Sequence, residues 1–344
     1  MTAPSAVPMA RETPSITPLI DLLSAEMERV NATILDRMDS KVPLVPQLAG
    51  HLIASGGKRM RPMMTVAGAM LASADETARA PAVKLATAVE FIHSATLLHD
   101  DVIDESKLRR GKDTANALWG NDASVLVGDF LFARAFALMV AAGDMAVLGR
   151  LAAAAARITE GEILQMMITG RPDTTLADYL DVIRGKTAVL FSAAAAAGIE
   201  VAGAPADQVE AMRVYGMELG MAFQIMDDAL DYSASAQQMG KNAGDDFTDQ
   251  KITLPVILAW QDAGEEERGF WQRTLGEAEF RDGDLAEAQA ILARHDAVNR
   301  SIAAAHDHAL RAGEALAPFM DDERTAPLAR ALADAALFAA HRAS

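Results

Sequence analysis

Two short acidic clusters constrain this chain more than any other feature. Asp100-Asp101-Val102-Ile103-Asp104 ends an apolar run, Phe91 to His99, and Asp227-Asp228-Ala229-Leu230-Asp231 ends a second, Met221 to Met226. On a helix, residues four apart share a face, so Asp100 and Asp104 project together while Asp101 flanks them about 100° away. A single cluster of this kind is the usual solvated end of an amphipathic helix. Two of them, each behind an apolar run, point elsewhere. If the helices face one another, six carboxylates share one space, and hard cations must offset their repulsion. The chain has no cysteine, so a metal has only oxygen or imidazole to bind. Magnesium suits that donor set, because it takes one or two carboxylates and completes its shell with water and phosphate oxygens. The implied substrate is a polyphosphate.

The rest of the sequence reads as helix. Alanine runs (Ala152 to Ala156, Ala193 to Ala197) and abundant Leu and Met lose little rotamer freedom there, and β-branched clusters are few. Breaks at Ser55-Gly56-Gly57, Gly111, Gly143-Asp144, Gly170-Arg171-Pro172, Gly203-Ala204-Pro205 and Gly240 to Gly244 leave helical stretches of roughly 20 to 30 residues. No linker or repeat interrupts the middle, so one all-α domain is expected over residues 18–344. Residues 1–17, rich in Pro, Ala, Ser and Thr, are expected to form a disordered arm. A chain of 344 residues, 51% of them hydrophobic, can bury a large core. Its net charge of −17 repels phosphate backbones and argues against a nucleic-acid partner. The arm lacks the pattern of a secretory signal, and the longest stretch free of Asp, Glu, Lys and Arg, Val42 to Gly57, is too short to span a bilayer. With the absence of cysteine, this reads as a cytoplasmic protein without a transmembrane helix.

Basic residues gather in three places that could hold a polyphosphate: Gly56-Gly57-Lys58-Arg59-Met60-Arg61-Pro62, Arg109-Arg110-Gly111-Lys112 and Gly185-Lys186-Thr187. Each alone also fits a solvated helix end, although Arg109-Arg110, just past the first acidic cluster, is the hardest to explain that way. Gly185-Lys186-Thr187 is not a nucleotide-binding P-loop, which needs a glycine five positions earlier and a preceding strand; position 180 is Leu in a helical context. His93 lies two helical turns before Asp100 on nearly the same face, where a lone histidine is more often a satisfied core residue than a ligand.

Taken together, the motifs resemble those of the trans-polyprenyl diphosphate synthases. The resemblance rests on Gly56 to Pro62, His93 through Asp104, Arg109-Arg110, Gly128-Asp129, Gly185-Lys186-Thr187 and Phe223-Gln224 through Asp231. A last block adds Gly240, Lys241, Gly244, Asp245, Asp246, Lys251, Leu254 and Pro255. It implies a single all-α domain of long helices around a deep central cavity, in a homodimer, that joins an allylic diphosphate such as farnesyl diphosphate to isopentenyl diphosphate by repeated head-to-tail condensation. It assigns Asp100, Asp101, Asp104, Asp227, Asp228 and Asp231 to magnesium ions that grip the allylic diphosphate. Arg109, Lys186, Lys241 and Lys251 would hold that diphosphate, and Lys58, Arg61, His93 and Arg110 would bind isopentenyl diphosphate without metal. Thr187 and Gln224 would sit beside the allylic carbon. One departure is Asp249-Gln250-Lys251, where the family carries a glycine immediately before the lysine.

The resemblance also places the chain-length floor on bulky side chains four or five positions before Asp100. Here those positions are the small Thr96 and Ala95, with Ile92 and Phe91 about one turn earlier. Small residues there imply a long-chain synthase making C40 to C50 tails of respiratory quinones such as ubiquinone, with peripheral membrane contact for release of so apolar a product. The rival readings are a short-chain C15 to C20 synthase, a terpene cyclase, which would carry an Asn/Ser/Glu metal motif in place of the second cluster, and a catalytically silent partner subunit.

Overall fold

The computed structural model describes residues 13–54, 57–109, 111–233 and 244–341, with the side chains of residues 49 and 52–54 set aside. As expected, the chain is all-α. The helices that build the site are α1 (Thr17–Arg37), α2 (Leu44–Ala54), α3 (Met60–Ala72), α4 (Glu76–Ile103), α5 (Ala115–Trp119), α6 (Asn121–Ala142), α7 (Met145–Ile168), α8 (Leu176–Ile183), α9 (Val189–Val201) and α10 (Ala206–Asp231). The C-terminal part adds α11 (Asp245–Thr248), α12 (Leu254–Asp262), α13 (Glu265–Trp271), α14 (Asp284–Arg294), α15 (Ala297–Ala315) and α16 (Ala326–Ala339). Among the described residues the strands are those of one short antiparallel pair, β1 (Leu108–Arg109) with β2 (Lys112–Asp113). Of the arm expected over residues 1–17, residues 1–12 lie outside the described residues. Ile16 packs in the core and Thr17 opens α1, so the folded part begins before residue 18.

Helix starts follow local chemistry. Asp75 caps α4 by accepting from Thr77 N at 2.9 Å, Asp144 caps α7 by accepting from Ala146 and Val147 N, and Thr175 with Asp178 forms a capping box on α8. The expected breaks at Gly111, Gly143, Gly170, Gly203 and Gly244 all adopt positive φ. The alanine run has a second role that propensity alone does not reveal. Ala193 to Ala197 are buried, and α9 is wedged between α3 and α10 at backbone contact. A Cβ at Gly198 would collide with the Thr65 carbonyl of α3, and one at Gly216 with the Phe191 carbonyl of α9. Small residues thus draw three helices into a tight central layer, which α4, α7 and α15 flank.

By length and composition two helical stretches, α6 and Leu176–Val201, are long and apolar enough to cross a membrane, although charged residues interrupt both. Leu176–Val201 is the central core helix, whereas α6 leaves Leu126 (66%) and Val140 (65%) exposed. The C-terminal region supports the centre: Arg324 donates through both terminal nitrogens to the Met70 and Leu71 carbonyls at the end of α3, and Tyr215 of α10 donates to the Leu332 carbonyl of α16 at 2.9 Å.

Gly198→Ala is expected to lower unfolding free energy by about 3 kcal/mol, because two backbones must separate. Gly149→Ala, exposed in the second turn of α7 with open space around it, should raise it by about 0.5–1 kcal/mol. Denaturant titration of both variants checks the packing seam, and equal effects would refute it.

Candidate functional site

The first acidic cluster occupies the last turn of α4. Asp101 is 4% exposed and is clasped by Arg109 of the hairpin, whose Nε and Nη2 donate to Oδ1 at 3.0 and 2.7 Å. Asn116 Nδ2 donates to the Asp101 carbonyl at 3.0 Å, so the segment after the hairpin is tied to the same residue. The side chain of Asp100 lies on the other side, facing Lys186 and Glu162. Burial pushes its carboxyl up to about 7, Lys186 opposes the rise, and Glu162 and Asp104 reinforce it. Asp104 receives Lys251 Nζ at 3.2 Å.

The second cluster closes α10 and is linked to the first through a π-helical turn. Arg184–Ala188, the stretch holding Gly185-Lys186-Thr187, widens the otherwise continuous helix between α8 and α9. Gly161 of α7 and Gly185 let the two backbones touch there, since a Cβ at Gly161 would meet Lys186 N at 2.5 Å. Lys186 Nζ reaches Glu162 Oε2 at 2.7 Å and Gln165 Oε1 at 2.8 Å, on the side of Asp100. The adjacent Thr187 donates to Gln224 Oε1 at 2.8 Å, Gln224 Nε2 donates to Asp228 Oδ1 at 2.7 Å, and Tyr179 donates to Asp228 Oδ2 at 2.6 Å. Consecutive residues of one turn therefore address the two clusters.

Beyond α10 the chain folds back onto the clusters. Asp246 N donates to Asp231 Oδ2 at 3.0 Å, and its own carboxyl is pushed well above the ordinary range by burial, then by Asp228 and Asp231. Burial works against the charge on Lys251, yet Asp104, Asp246 and Asp249 overcome it and hold the ammonium well above the ordinary lysine range. The departure at Gln250 is accommodated: Gln250 takes the left-handed conformation (φ 55°) that favours glycine. Three hydrogen bonds hold it, from Gln250 N to the Phe247 carbonyl, from Gly170 N to the Gln250 carbonyl, and from Gln250 Nε2 to the Leu275 carbonyl.

A separate basic site forms at the start of α3. Arg61 is buried over the Phe191 ring (4.2 Å) with Nη1 donating to His93 Nε2 at 3.1 Å, and burial lowers its guanidinium to about 10, with Glu90 opposing. Arg61 Nε and Arg59 Nη1 are buried without a hydrogen-bond partner, and Lys58 Nζ lies 4.1 Å from the centre of the Phe338 ring of α16. Buried cationic donors beside a helix N-terminus form an anion site.

The structure therefore brings Asp100, Asp101, Asp104, Asp227, Asp228, Asp231, Arg109, Lys186, Thr187, Gln224 and Lys251 into one region, and Lys58, Arg61 and His93 into the neighbouring one. Arg110 and Lys241 lie outside the described residues. Of the four chain-length candidates, Thr96 is half-buried, while Ala95, Phe91 and Ile92 are closed within the core. Sequence reasoning missed Tyr179, Glu162, Gln165 and Phe338. Spacing offered a clue to three: Tyr179 stands two turns before Lys186, and Glu162 and Gln165 share a face of α7. Nothing local pointed to Phe338. Among the described residues no three ligating side chains converge on one point. That arrangement fits a cation that takes one or two carboxylates and draws its remaining ligands from water and substrate, and beside it Glu162 Oε1 is buried without a hydrogen-bond partner while Oε2 of the same carboxylate pairs with Lys186.

Residues 42–292 match the family model described as "Polyprenyl synthetase". Octaprenyl diphosphate synthase of Escherichia coli K12 is 47% identical over 239 residues, 70% of this chain and 73% of that protein. A crystal structure of polyprenyl synthase from Caulobacter crescentus, complexed with calcium and isoprenyl diphosphate, superposes with a TM-score of 0.91 at 48% identity, covering 97% of this chain and all of the other. A decaprenyl diphosphate synthase from Rhodobacter capsulatus superposes at 0.90 with 47% identity, over 96% of this chain and 100% of that one.

Because folding raises Asp100 from its ordinary 3.8 to about 7, its proton is held more tightly in the folded state. That stabilising contribution is whole below the ordinary value and is lost as pH rises through about 7. In metal-free buffer Asp100→Asn is therefore expected to be more stable than the parent at pH 8, with the gap closing at pH 5. Equal denaturation midpoints at pH 8 would exclude a burial cost on this carboxylate.

Proposed function

The chain belongs to the polyprenyl synthetase family as a long-chain trans-polyprenyl diphosphate synthase, a prenyltransferase, and we propose that it extends an allylic diphosphate such as farnesyl diphosphate with isopentenyl diphosphate to C40 to C50, for the side chain of a respiratory quinone such as ubiquinone. The observation that carries this reading is the linkage of both acidic clusters to the Lys186–Thr187 turn, beside a second, cationic site at Arg61.

Magnesium held by Asp100, Asp101, Asp104, Asp227, Asp228 and Asp231 would supply positive charge to the departing diphosphate. Arg109, Lys186, Lys241 and Lys251 bind that diphosphate's oxygens and share the charge that develops as its bond to the allylic carbon breaks, the electron pair leaving with pyrophosphate. Lys186 and Lys251 must then exchange their present carboxylate partners for phosphate. Lys58, Arg61, His93 and Arg110 hold isopentenyl diphosphate so that its double bond attacks the allylic cation and a new carbon–carbon bond forms. A proton is then lost to pyrophosphate, restoring an allylic product five carbons longer. Thr187 and Gln224 present oxygens to the cation, and the surrounding helices exclude the water that would quench it.

A second copy of the chain is the natural cover for the exposed apolar side chains of α6 and α7 (Leu126, Phe136 and Val140 with Ile163, Met166 and Met167), which supports a homodimer. Cytoplasmic catalysis with peripheral membrane contact during product release completes the proposal.

Purified protein given farnesyl diphosphate, isopentenyl diphosphate and magnesium should yield a ladder ending at C40 to C50 once the products are dephosphorylated and resolved. Termination at C15 or C20 would move the floor to Phe91 or Ile92, and no condensation with any primer would leave a silent partner subunit. Small side chains at Ala95 and Thr96 are taken to keep the floor open. Ala95→Phe, with Thr96→Phe as its companion on the half-buried side, should shorten the product; an unchanged length in both would remove that assignment.

A further inference from the structure

Tyr179 has no counterpart among the residues that the reaction above uses, yet it ends a continuous line of hydrogen bonds through the site. Its ring is buried at the base of α8, and its hydroxyl reaches Oδ2 of Asp228, itself 5% exposed, at 2.6 Å. The other Asp228 oxygen accepts from Gln224 Nε2 at 2.7 Å, and Gln224 Oε1 accepts from Thr187 at 2.8 Å. Four side chains from α8, α10 and the π-helical turn thus form one line.

Its direction is fixed by the kinds of group in it. A carboxylate only accepts, so Tyr179 must donate and Gln224 must turn its NH2 toward Asp228. The Gln224 carbonyl is then left to face Thr187, and Thr187 commits its single proton to it. The remaining lone pairs of the Thr187 oxygen point away from the line. A hydroxyl held this way can stabilise a neighbouring positive charge but cannot donate a proton to it.

Resting on the reaction proposed above, we propose that Tyr179 is a positioning residue that fixes the plane of Asp228 in the second acidic cluster and, through Gln224, the orientation of the Thr187 oxygen. With both Asp228 oxygens held by donors at short distance, the carboxylate cannot rotate about its last bond, and its outward lone pairs keep one direction toward a cation. Outer partners of this kind orient metal-binding carboxylates, and their loss typically weakens metal affinity or activity about 10–100-fold. Tyr215 supplies a contrast. It is equally buried and its hydroxyl also makes one hydrogen bond, but to the Leu332 carbonyl, remote from both acidic clusters.

The test compares Tyr179→Phe with Tyr215→Phe, each of which removes one oxygen and keeps the ring. Two quantities are read: steady-state kinetics with both substrates, and calorimetric binding of magnesium in the presence of inorganic pyrophosphate. Tyr179→Phe is expected to lower kcat about 10–100-fold and to weaken magnesium binding about tenfold, with KM for isopentenyl diphosphate unchanged within about twofold. Tyr215→Phe should alter neither quantity, although both variants lose a buried hydrogen bond and unfold more easily. The proposal is overturned if Tyr179→Phe retains the parental kcat and magnesium affinity, or if Tyr215→Phe shifts them equally. Should the parent bind magnesium with pyrophosphate but make no polyprenyl product, the reading of the reaction fails, while the calorimetric comparison still decides the role of Tyr179.

Discussion

Mutual repulsion among carboxylates is the constraint on which the centre of this molecule depends. Asp100, Asp101 and Asp104 end one helix, Asp227, Asp228 and Asp231 end another, and Glu162 and Asp246 are brought in beside them. Every one of these charges raises the cost of ionising its neighbours. The cations around them are placed accordingly: Arg109 on Asp101, Lys186 on Glu162 and near Asp100, and Lys251 across Asp104 and Asp249 with Asp246 close by. These pairs are provisional partners, because the same cations suit phosphate oxygens and the same carboxylates suit hard metal ions. In the proposed reaction a diphosphate entering with its metal would exchange both sets at once and leave no charge stranded.

Such an exchange requires that the charged groups sit on a scaffold that does not relax to relieve them. The glycine and alanine seam provides it. Where α9 touches α3 through Gly198 and α10 through Gly216, the backbones themselves are in contact, and no side-chain rearrangement can shift one helix without the others. The π-helical turn belongs to the same construction. An extra residue per turn at Arg184–Ala188 rotates Lys186 and Thr187 to opposite acidic clusters, and the close approach of Gly161 fixes the turn against α7. The C-terminal helices complete the clamp through Arg324 on the end of α3 and Phe338 on Lys58.

The sequence made some of this legible and left the rest unreadable for physical reasons. Helix and break are local properties, so alanine runs and positive-φ glycines located most elements, and two acidic clusters behind apolar runs located the site. The hairpin that carries Arg109 was invisible because two-residue strands have no periodicity to detect. Tyr179 reads as an ordinary aromatic in an amphipathic helix, since only the fold reveals that its hydroxyl meets Asp228. The candidate chain-length positions depended on the rotation of α4 about its axis, which spacing does not define, and the structure leaves Thr96 half-buried while Ala95 is closed within the core. Gln250 shows the converse: the residue type argued against the glycine-like turn, and long-range partners, Gly170 and Leu275, enforce it.

Several of the unfavourable features of the molecule lie at the acidic clusters and at the neighbouring basic site. Glu162 Oε1, Arg61 Nε and Arg59 Nη1 are buried without hydrogen-bond partners, Asp100 and Asp246 are held in surroundings that resist their charge, and Arg59 and Gln250 both adopt left-handed backbone. The caps of α4, α7 and α8 and the glycine seam are well made, so these costs do not reflect a loosely packed chain. Each is a local penalty of order 1–3 kcal/mol that the remaining packing must carry. In the reaction proposed above the unsatisfied donors would meet phosphate oxygens and the crowded carboxylates would meet divalent metal, so both kinds of penalty would be relieved together. The free-energy gain on binding then includes the release of these costs, and selection for tight grip on diphosphate and selection for a comfortable empty site pull in opposite directions.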